Sequence, residues 1–204
     1  MKGIFITFEG IEGCGKSTQA KLLKKYLENN SKKVFLTREP GGPGISEKIR
    51  SLLLDKNLTE MLPETELLLF MASRVQHTGE WIIPKLKKGE IVISDRYSDS
   101  TLAYQGGARR INQDIIKKIN DFASYGLVPD ITFLIDLPAE TGLGRIVKSD
   151  ADRLESESIE FHKNVRKEFL YAAKSAPERF VVIDGKQSVE EIHDRIVESV
   201  KNYI

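Results

Sequence analysis

The sequence predicts an α/β fold, a doubly wound, five-stranded parallel sheet with helices on both faces. Three observations predict it. Short β-rich runs alternate with longer amphipathic segments. Several of those runs are almost continuously apolar, as parallel strands covered on both faces must be. No repeat, linker or break in composition divides the 204 residues, which suit one full domain and are few for two. Strand–helix alternation implies right-handed crossovers, and ligands of such sheets bind outside the carboxyl ends of the strands.

The first strand is expected over 4–8, where Ile4-Phe5-Ile6-Thr7-Phe8 follows Met1-Lys2-Gly3 with no separate apolar leader. A glycine-rich loop separates it from a helix expected over 16–29. The second strand, 34–37, passes through the bend Pro40-Gly41-Gly42-Pro43-Gly44 to a helix over 45–55. A long helix is predicted over 64–87, before the apolar central strand 91–94. Then come a helix over 113–125, a strand over 131–135, helices over 140–147 and 158–175, a strand over 180–183 and a last helix over 189–203.

Composition bounds the function. Hydrophobic residues make up 40% and charged residues 30%; 31 Lys and Arg stand against 30 Asp and Glu, a formal net charge of +1. That balance argues against a protein that coats nucleic acid, which draws on clustered excess positive charge. No apolar stretch approaches the ~20 residues needed to span a bilayer, so no membrane association is expected and a cytoplasmic location is the default. Cys14 is the only cysteine, which precludes an intrachain disulfide.

Gly10-Ile11-Glu12-Gly13-Cys14-Gly15-Lys16-Ser17 fits the pattern of a phosphate-binding P-loop and lies between a predicted strand and a predicted helix, the context that pattern requires. Glycines let successive N–H groups converge on phosphate oxygens, and the helix adds the positive end of its dipole. Lys16 can reach the β- and γ-phosphates of a nucleoside triphosphate, the Ser17 hydroxyl can bind Mg²⁺, and Thr18 continues the ATP-binding stretch. Cys14 is read as a small spacer. At the end of the central strand, Asp95 has the place of a carboxylate that holds Mg²⁺ or its water shell, and Arg96 directly after it suits a transferred phosphoryl group.

Six blocks occur in order. They are Phe8-Glu9-Gly10-Ile11-Glu12-Gly13 with the P-loop, Thr37-Arg38-Glu39-Pro40-Gly41-Gly42, and Phe70-Met71-Ala72-Ser73-Arg74-Val75-Gln76. Asp95-Arg96-Tyr97, Ser100-Thr101-Leu102-Ala103-Tyr104-Gln105-Gly106 and Asp152-Arg153-Leu154-Glu155 follow. In these blocks and their spacing the chain resembles the thymidylate kinases, P-loop nucleoside monophosphate kinases. The resemblance implies in-line transfer of the γ-phosphoryl group of ATP to dTMP, with Mg²⁺ as cofactor, in a single domain over 1–204 that forms a homodimer through long helices such as 64–87.

Phe70 and Arg74 are four residues apart and share a helix face. From the helix alone Phe70 reads as core and Arg74 as a surface ion pair; the resemblance assigns Phe70 to stacking on thymine and Arg74 to its O4. It places Thr101 and Gln105, with Ser100 nearby, at the remaining polar edge of the base, and Tyr104 under the sugar, where a 2′-hydroxyl is disfavoured. Glu12 is implied to reach toward the 3′-hydroxyl and phosphate of the acceptor, and Arg38 and Arg96 to clamp the acceptor monophosphate. Ile11-Glu12-Gly13-Cys14 contains no cation, and for such a loop the resemblance implies that a further positive charge comes from a lid at 145–155, with Arg145, Lys148 and Arg153 as its cations. Arg153 is the first choice, so Lys16, Arg96 and Arg153 are the expected catalytic residues. The lid departs from the arginine-rich lids of the family at Lys148 and Ser149, and Asp150 and Asp152 partly cancel its charge. His77, His162 and His193 form neither metal spacing nor a nucleophile triad, and no catalytic duty is expected of them.

Overall fold

A strand with alternate residues committed to two different apolar layers needs helices on both sides, and the central strands of this chain are of that kind. In the computed structural model, which describes residues 3–146 and 151–204, β1 (Phe5–Glu9) sends Ile6 and Phe8 into one layer and Phe5 into the other. The first layer is the main core, where Leu23, Leu27, Phe133, Val165, Phe169 and Ile196 meet; the second gathers Val92, Ile82, Leu86 and Tyr97 around Phe5.

The remaining strands are β2 (Val34–Arg38), β3 (Ile91–Asp95), β4 (Ile131–Asp136) and β5 (Phe180–Asp184). All pairings among the described residues are parallel, in the order β2-β3-β1-β4-β5. The direction of winding reverses beside β1, so a crevice opens at the carboxyl ends of β1 and β3. The register puts Phe8 opposite Asp95, which brings the loops after these two strands side by side.

The helices are α1 (Lys16–Asn29), α2 (Gly44–Leu54), α3 (Pro63–His77), α4 (Ile83–Lys87), α5 (Ser98–Thr101), α6 (Gln113–Ser124), α7 (Ala139–Leu143), α8 (Ile159–Ser175) and α9 (Val189–Val200). Local chemistry sets several starts. Asn112 accepts from the backbone N–H of Asp114 and Ile115, Ser158 accepts from Phe161, and Ser188 with Glu191 forms a capping box.

Three expectations are corrected. The helix predicted over 64–87 is two α-helices joined by a π-helical turn, Thr78–Ile82. Pro84 offers no N–H and its ring crowds the carbonyl four residues back, and a wider turn accommodates both effects. The segment 98–108 carried no helical expectation, yet it forms α5 and a second π-helical turn, Leu102–Ala108. The helix expected over 140–147 ends at Leu143. Lys148 of the expected lid, with Val147, Ser149 and Asp150, lies outside the described residues.

Candidate active site

The loop from Gly10 to Gly15 links β1 to α1, and three of its glycines hold positive φ, at 139°, 68° and 99° for Gly10, Gly13 and Gly15. Gly13 has a second reason to lack a side chain. A Cβ there would lie 2.1 Å from the carbonyl oxygen of Gly142, and one on Gly142 would lie 2.4 Å from that of Glu12. The P-loop and α7, at the root of the expected lid, therefore pack backbone to backbone.

Lys16 is folded back on this loop, its Nζ donating to the Ile11 carbonyl at 2.7 Å and lying 3.6 Å from Cys14 Sγ. Ser17, at the start of α1, donates to the Asp95 carboxylate at the end of β3. A hydroxyl and a carboxylate brought together are hard oxygen donors of the kind Mg²⁺ takes beside nucleotide phosphates. Among the described residues no cluster of three or more His, Cys, Asp or Glu could hold a metal alone.

Next to Asp95 the chain turns sharply, and Arg96 has a left-handed φ of 72°. A non-glycine residue held there stores of order 1–3 kcal/mol of strain, and such outliers cluster at functional sites. The turn aims the guanidinium into the cleft. Nη1 donates to the Gly10 carbonyl at 2.9 Å and to Ser100 Oγ at 3.1 Å, while Nη2 donates to Glu12 Oε1 at 2.9 Å and to the Tyr104 hydroxyl at 3.0 Å. Burial pushes the Glu12 carboxyl up, but Arg96, helped by His162, Lys16 and Tyr104, holds it below the ordinary carboxylate range. The Tyr104 hydroxyl donates to the same Glu12 oxygen at 2.5 Å.

The cleft encloses about 260 Å³. Its walls bring together most of the residues singled out from the sequence: Glu12, Gly13, Lys16, Ser17 and Asp95 on the P-loop side, with Arg38, Phe70, Arg74, Arg96, Ser100, Thr101, Tyr104 and Gln105 around the rest. Gly10, Ile11, Cys14, Gly15 and Thr18 do not line it. Ile11 and Cys14 are buried behind the loop, which leaves their backbone N–H groups to face a ligand, and Thr18 is exposed on α1.

Arg74 is 2% exposed and largely engaged. Its Nε and Nη2 reach Glu39 Oε2 at 2.8 and 2.7 Å, Nη1 donates to Thr101 at 2.8 Å and Asn120 at 2.6 Å, and its plane lies over the Tyr97 ring. Gln105 donates to Glu66 at 2.8 Å. Arg38 pairs with Glu47 at 3.0 Å and remains half exposed.

Arg153, the first choice for the lid cation, is not brought into the cleft: its Nε donates to the Leu53 carbonyl at 2.9 Å and its Nη1 meets Glu66 Oε2 at 2.7 Å. Glu66 is 1% exposed, and a buried carboxylate draws the nearest cations; Arg109 also pairs with it, at 3.0 Å. Arg145, by contrast, donates to the Gly13 carbonyl at 3.0 Å, on the P-loop itself.

Sequence reasoning missed Arg50, Glu39, Glu66 and Glu9. Arg50 lines the cleft; burial and the neighbouring Arg38 depress its pKa, so the pair makes a locus that favours an anion. Its spacing from Glu47 on a predicted helix was the one available signal.

Glu9, fully buried at the end of β1, accepts from the backbone N–H of Tyr97 at 2.8 Å and from Ser100 Oγ at 2.6 Å. Burial, with the charge of Asp99 adding to it, pushes this carboxyl from 4.5 up to about 8. The folded state thus binds the proton more tightly than the unfolded chain between those values. The stability it contributes is full below pH 4.5 and is lost as pH rises through 8. Unfolding in urea at pH 6 and pH 9 should show a loss of about 2–3 kcal/mol in the native protein, and a much smaller loss in Glu9→Gln. Equal losses in the two proteins would exclude Glu9 as the source.

The family model described as thymidylate kinase matches residues 8–196. The thymidylate kinase of Thermoanaerobacter sp. (strain X514) is 46% identical over 204 residues, which cover 100% of each chain. That of Carboxydothermus hydrogenoformans is 50% identical over 193 residues, 94% of each. The crystal structure of thymidylate kinase from Ehrlichia chaffeensis superposes with a TM-score of 0.80 at 36% identity, covering 98% of this chain and 99% of that one.

Proposed function

We propose that this chain, which belongs to the thymidylate kinase family, transfers the γ-phosphoryl group of ATP to the 5′-phosphate of dTMP, releasing dTDP and ADP. One observation carries the reading of the site. The Arg96 guanidinium bridges the P-loop carbonyl of Gly10 and the acceptor-side groups Glu12, Ser100 and Tyr104, next to the Ser17–Asp95 pair. It stands where donor and acceptor phosphates meet.

Phosphoryl transfer asks the protein for positioning and charge neutralisation more than for covalent help. Lys16 exchanges the Ile11 carbonyl for the β- and γ-phosphates, while the loop N–H groups hold the remaining oxygens. Ser17 and Asp95 are assigned to Mg²⁺, which neutralises phosphate charge when bound. Arg96 passes from Glu12 to the acceptor phosphate, and Arg38 and Arg50 flank it. That phosphate is already ionised, so no general base is required. Phe70 stacks on thymine, Arg74 presents its remaining Nη2 N–H to the base, and Tyr104 underlies the sugar. The lid cation is assigned to Arg145, on the strength of its contact with Gly13, and not to Arg153. With the lid closed, water is kept from the γ-phosphate.

The same proposal extends to a cytoplasmic homodimer. Leu68 on α3 and Phe122 on α6 are 58% and 77% exposed, a large apolar surface for two helices that pack together. No described helix is long and apolar enough to cross a membrane. The reaction is tested by coupled ADP release with a panel of monophosphates. dTMP is expected to exceed AMP, CMP and GMP by about 100-fold or more in kcat/KM, as a built polar pocket allows. Turnover with dTMP no faster than with AMP, CMP, GMP or no acceptor would sink the assignment.

A further inference from the structure

Beneath the acceptor side of the cleft, two buried polar groups face each other without a completed bond. His162, on α8, is 0% exposed, and its Nδ1 stands 3.3 Å from Oε2 of Glu12. Among the described residues neither ring nitrogen of His162 nor that Glu12 oxygen has an aligned hydrogen-bond partner. Buried polar groups are almost always paired, so a facing pair left open calls for an explanation.

The explanation follows from what Arg96 must do. On the reading proposed above, on which this inference rests, the acceptor phosphate draws the Arg96 guanidinium off Glu12. Glu12 is 8% exposed and would keep only the Tyr104 hydroxyl on Oε1. A buried carboxylate stripped of its cation is strongly unfavourable and tends to move. The charged and titratable groups around it are Lys16 from the P-loop, Arg96 from the turn after β3, Tyr104 from the π-helical turn, Glu155 from the lid turn and His162 from α8. Lys16 is committed to ATP, Glu155 has the wrong sign, and Tyr104 is already bonded. His162 remains. It is held in place, because its neighbour Phe161 packs edge-on against the Tyr104 ring at 6.0 Å.

We propose that His162 is a positioning residue: it takes over the Glu12 carboxylate when the acceptor phosphate draws Arg96 away. The N–H at Nδ1 donates to Oε2, and the tautomer with its proton on Nδ1 suffices. Glu12 thereby keeps one orientation through the catalytic cycle, and Arg96 is free to serve the phosphate.

The test compares His162→Phe, which fills the space without a donor, with His162→Asn, which returns an N–H near the position of Nδ1. His162→Phe should lower kcat/KM for dTMP about 10- to 100-fold, the cost of an unpaired buried charged group, with KM for ATP within about twofold. His162→Asn should recover most of that loss. In a Glu12→Gln background, His162→Phe should have little further effect, since the charge it serves is gone. Native kcat/KM in His162→Phe would overturn the proposal. So would equal loss in both backgrounds, or an Asn variant as poor as the Phe variant despite an unchanged melting temperature. Glu12→Gln with native dTMP kinetics would instead sink the acceptor-site reading itself.

Discussion

Arg96→Ala is expected to lower kcat/KM for dTMP about 10³-fold or more while KM for ATP changes only a few-fold. The guanidinium has four partners in the described structure, and three of them, Glu12, Ser100 and Tyr104, are those assigned above to the acceptor side. Removing it strips the transferring phosphoryl group of a fixed pair of donors and leaves Glu12 to repel the incoming phosphate. Arg96→Lys restores the charge but not the fork, and should recover at most about tenfold of the loss. Steady-state kinetics with each substrate varied in turn separates the two sites. A rise in KM for ATP as large as the loss with dTMP would show that Arg96 serves the donor phosphates instead.

The backbone at Arg96 adds a second, independent readout. Its φ of 72° suits glycine, and an alanine there keeps the strain. Arg96→Gly should therefore be more stable than Arg96→Ala by about 1 kcal/mol while being equally inactive.

Local patterns in the chain carry much of this arrangement. The strands, their parallel direction and the P-loop follow from contiguous features: an apolar run, a glycine loop, an amphipathic helix. Phe70 and Arg74, or Asp95 and Arg96, are near one another in the chain and so read as units. What the sequence hides depends on distance along the chain. The buried carboxylate that captures Arg153 is Glu66, 87 positions away, and no local pattern announces that a lid arginine has a better partner than phosphate. His162 reads as an ordinary helix residue until the fold brings it to Glu12, 150 positions away. The segment 98–108 hides its helical character behind Gly106-Gly107, residues with poor intrinsic propensity. Gly107 is tight against the side chain of Glu168 on α8, so tertiary packing overrides propensity there.

The largest expected loss of stability comes from Glu39, which sequence reasoning passed over inside the block Thr37 to Gly42. Glu39 is 5% exposed, takes both Nε and Nη2 of Arg74 on one oxygen, and takes His77 Nδ1 at 2.9 Å on the other. His77 in turn meets Thr37 at 2.7 Å, and Asn120 and Thr101 occupy Nη1 of Arg74. Burial pushes the Glu39 carboxyl up, yet Arg74 and His77 hold it below its ordinary 4.5. Its contribution is thus present above pH 4.5 and is lost as pH falls below that value. Glu39→Ala removes the counter-charge from a buried guanidinium and should cost about 3–5 kcal/mol of stability at neutral pH, with KM for dTMP rising as Arg74 loses its anchor. Replacing both partners by apolar groups, Glu39→Leu with Arg74→Met, removes the orphaned charge as well. That double variant should unfold at higher urea than Glu39→Ala, although it loses the base contact and hence dTMP selectivity. If the double variant is instead less stable than Glu39→Ala, the pair is a net source of stability. The arrangement would then hold the fold together and not merely aim Arg74 at the base.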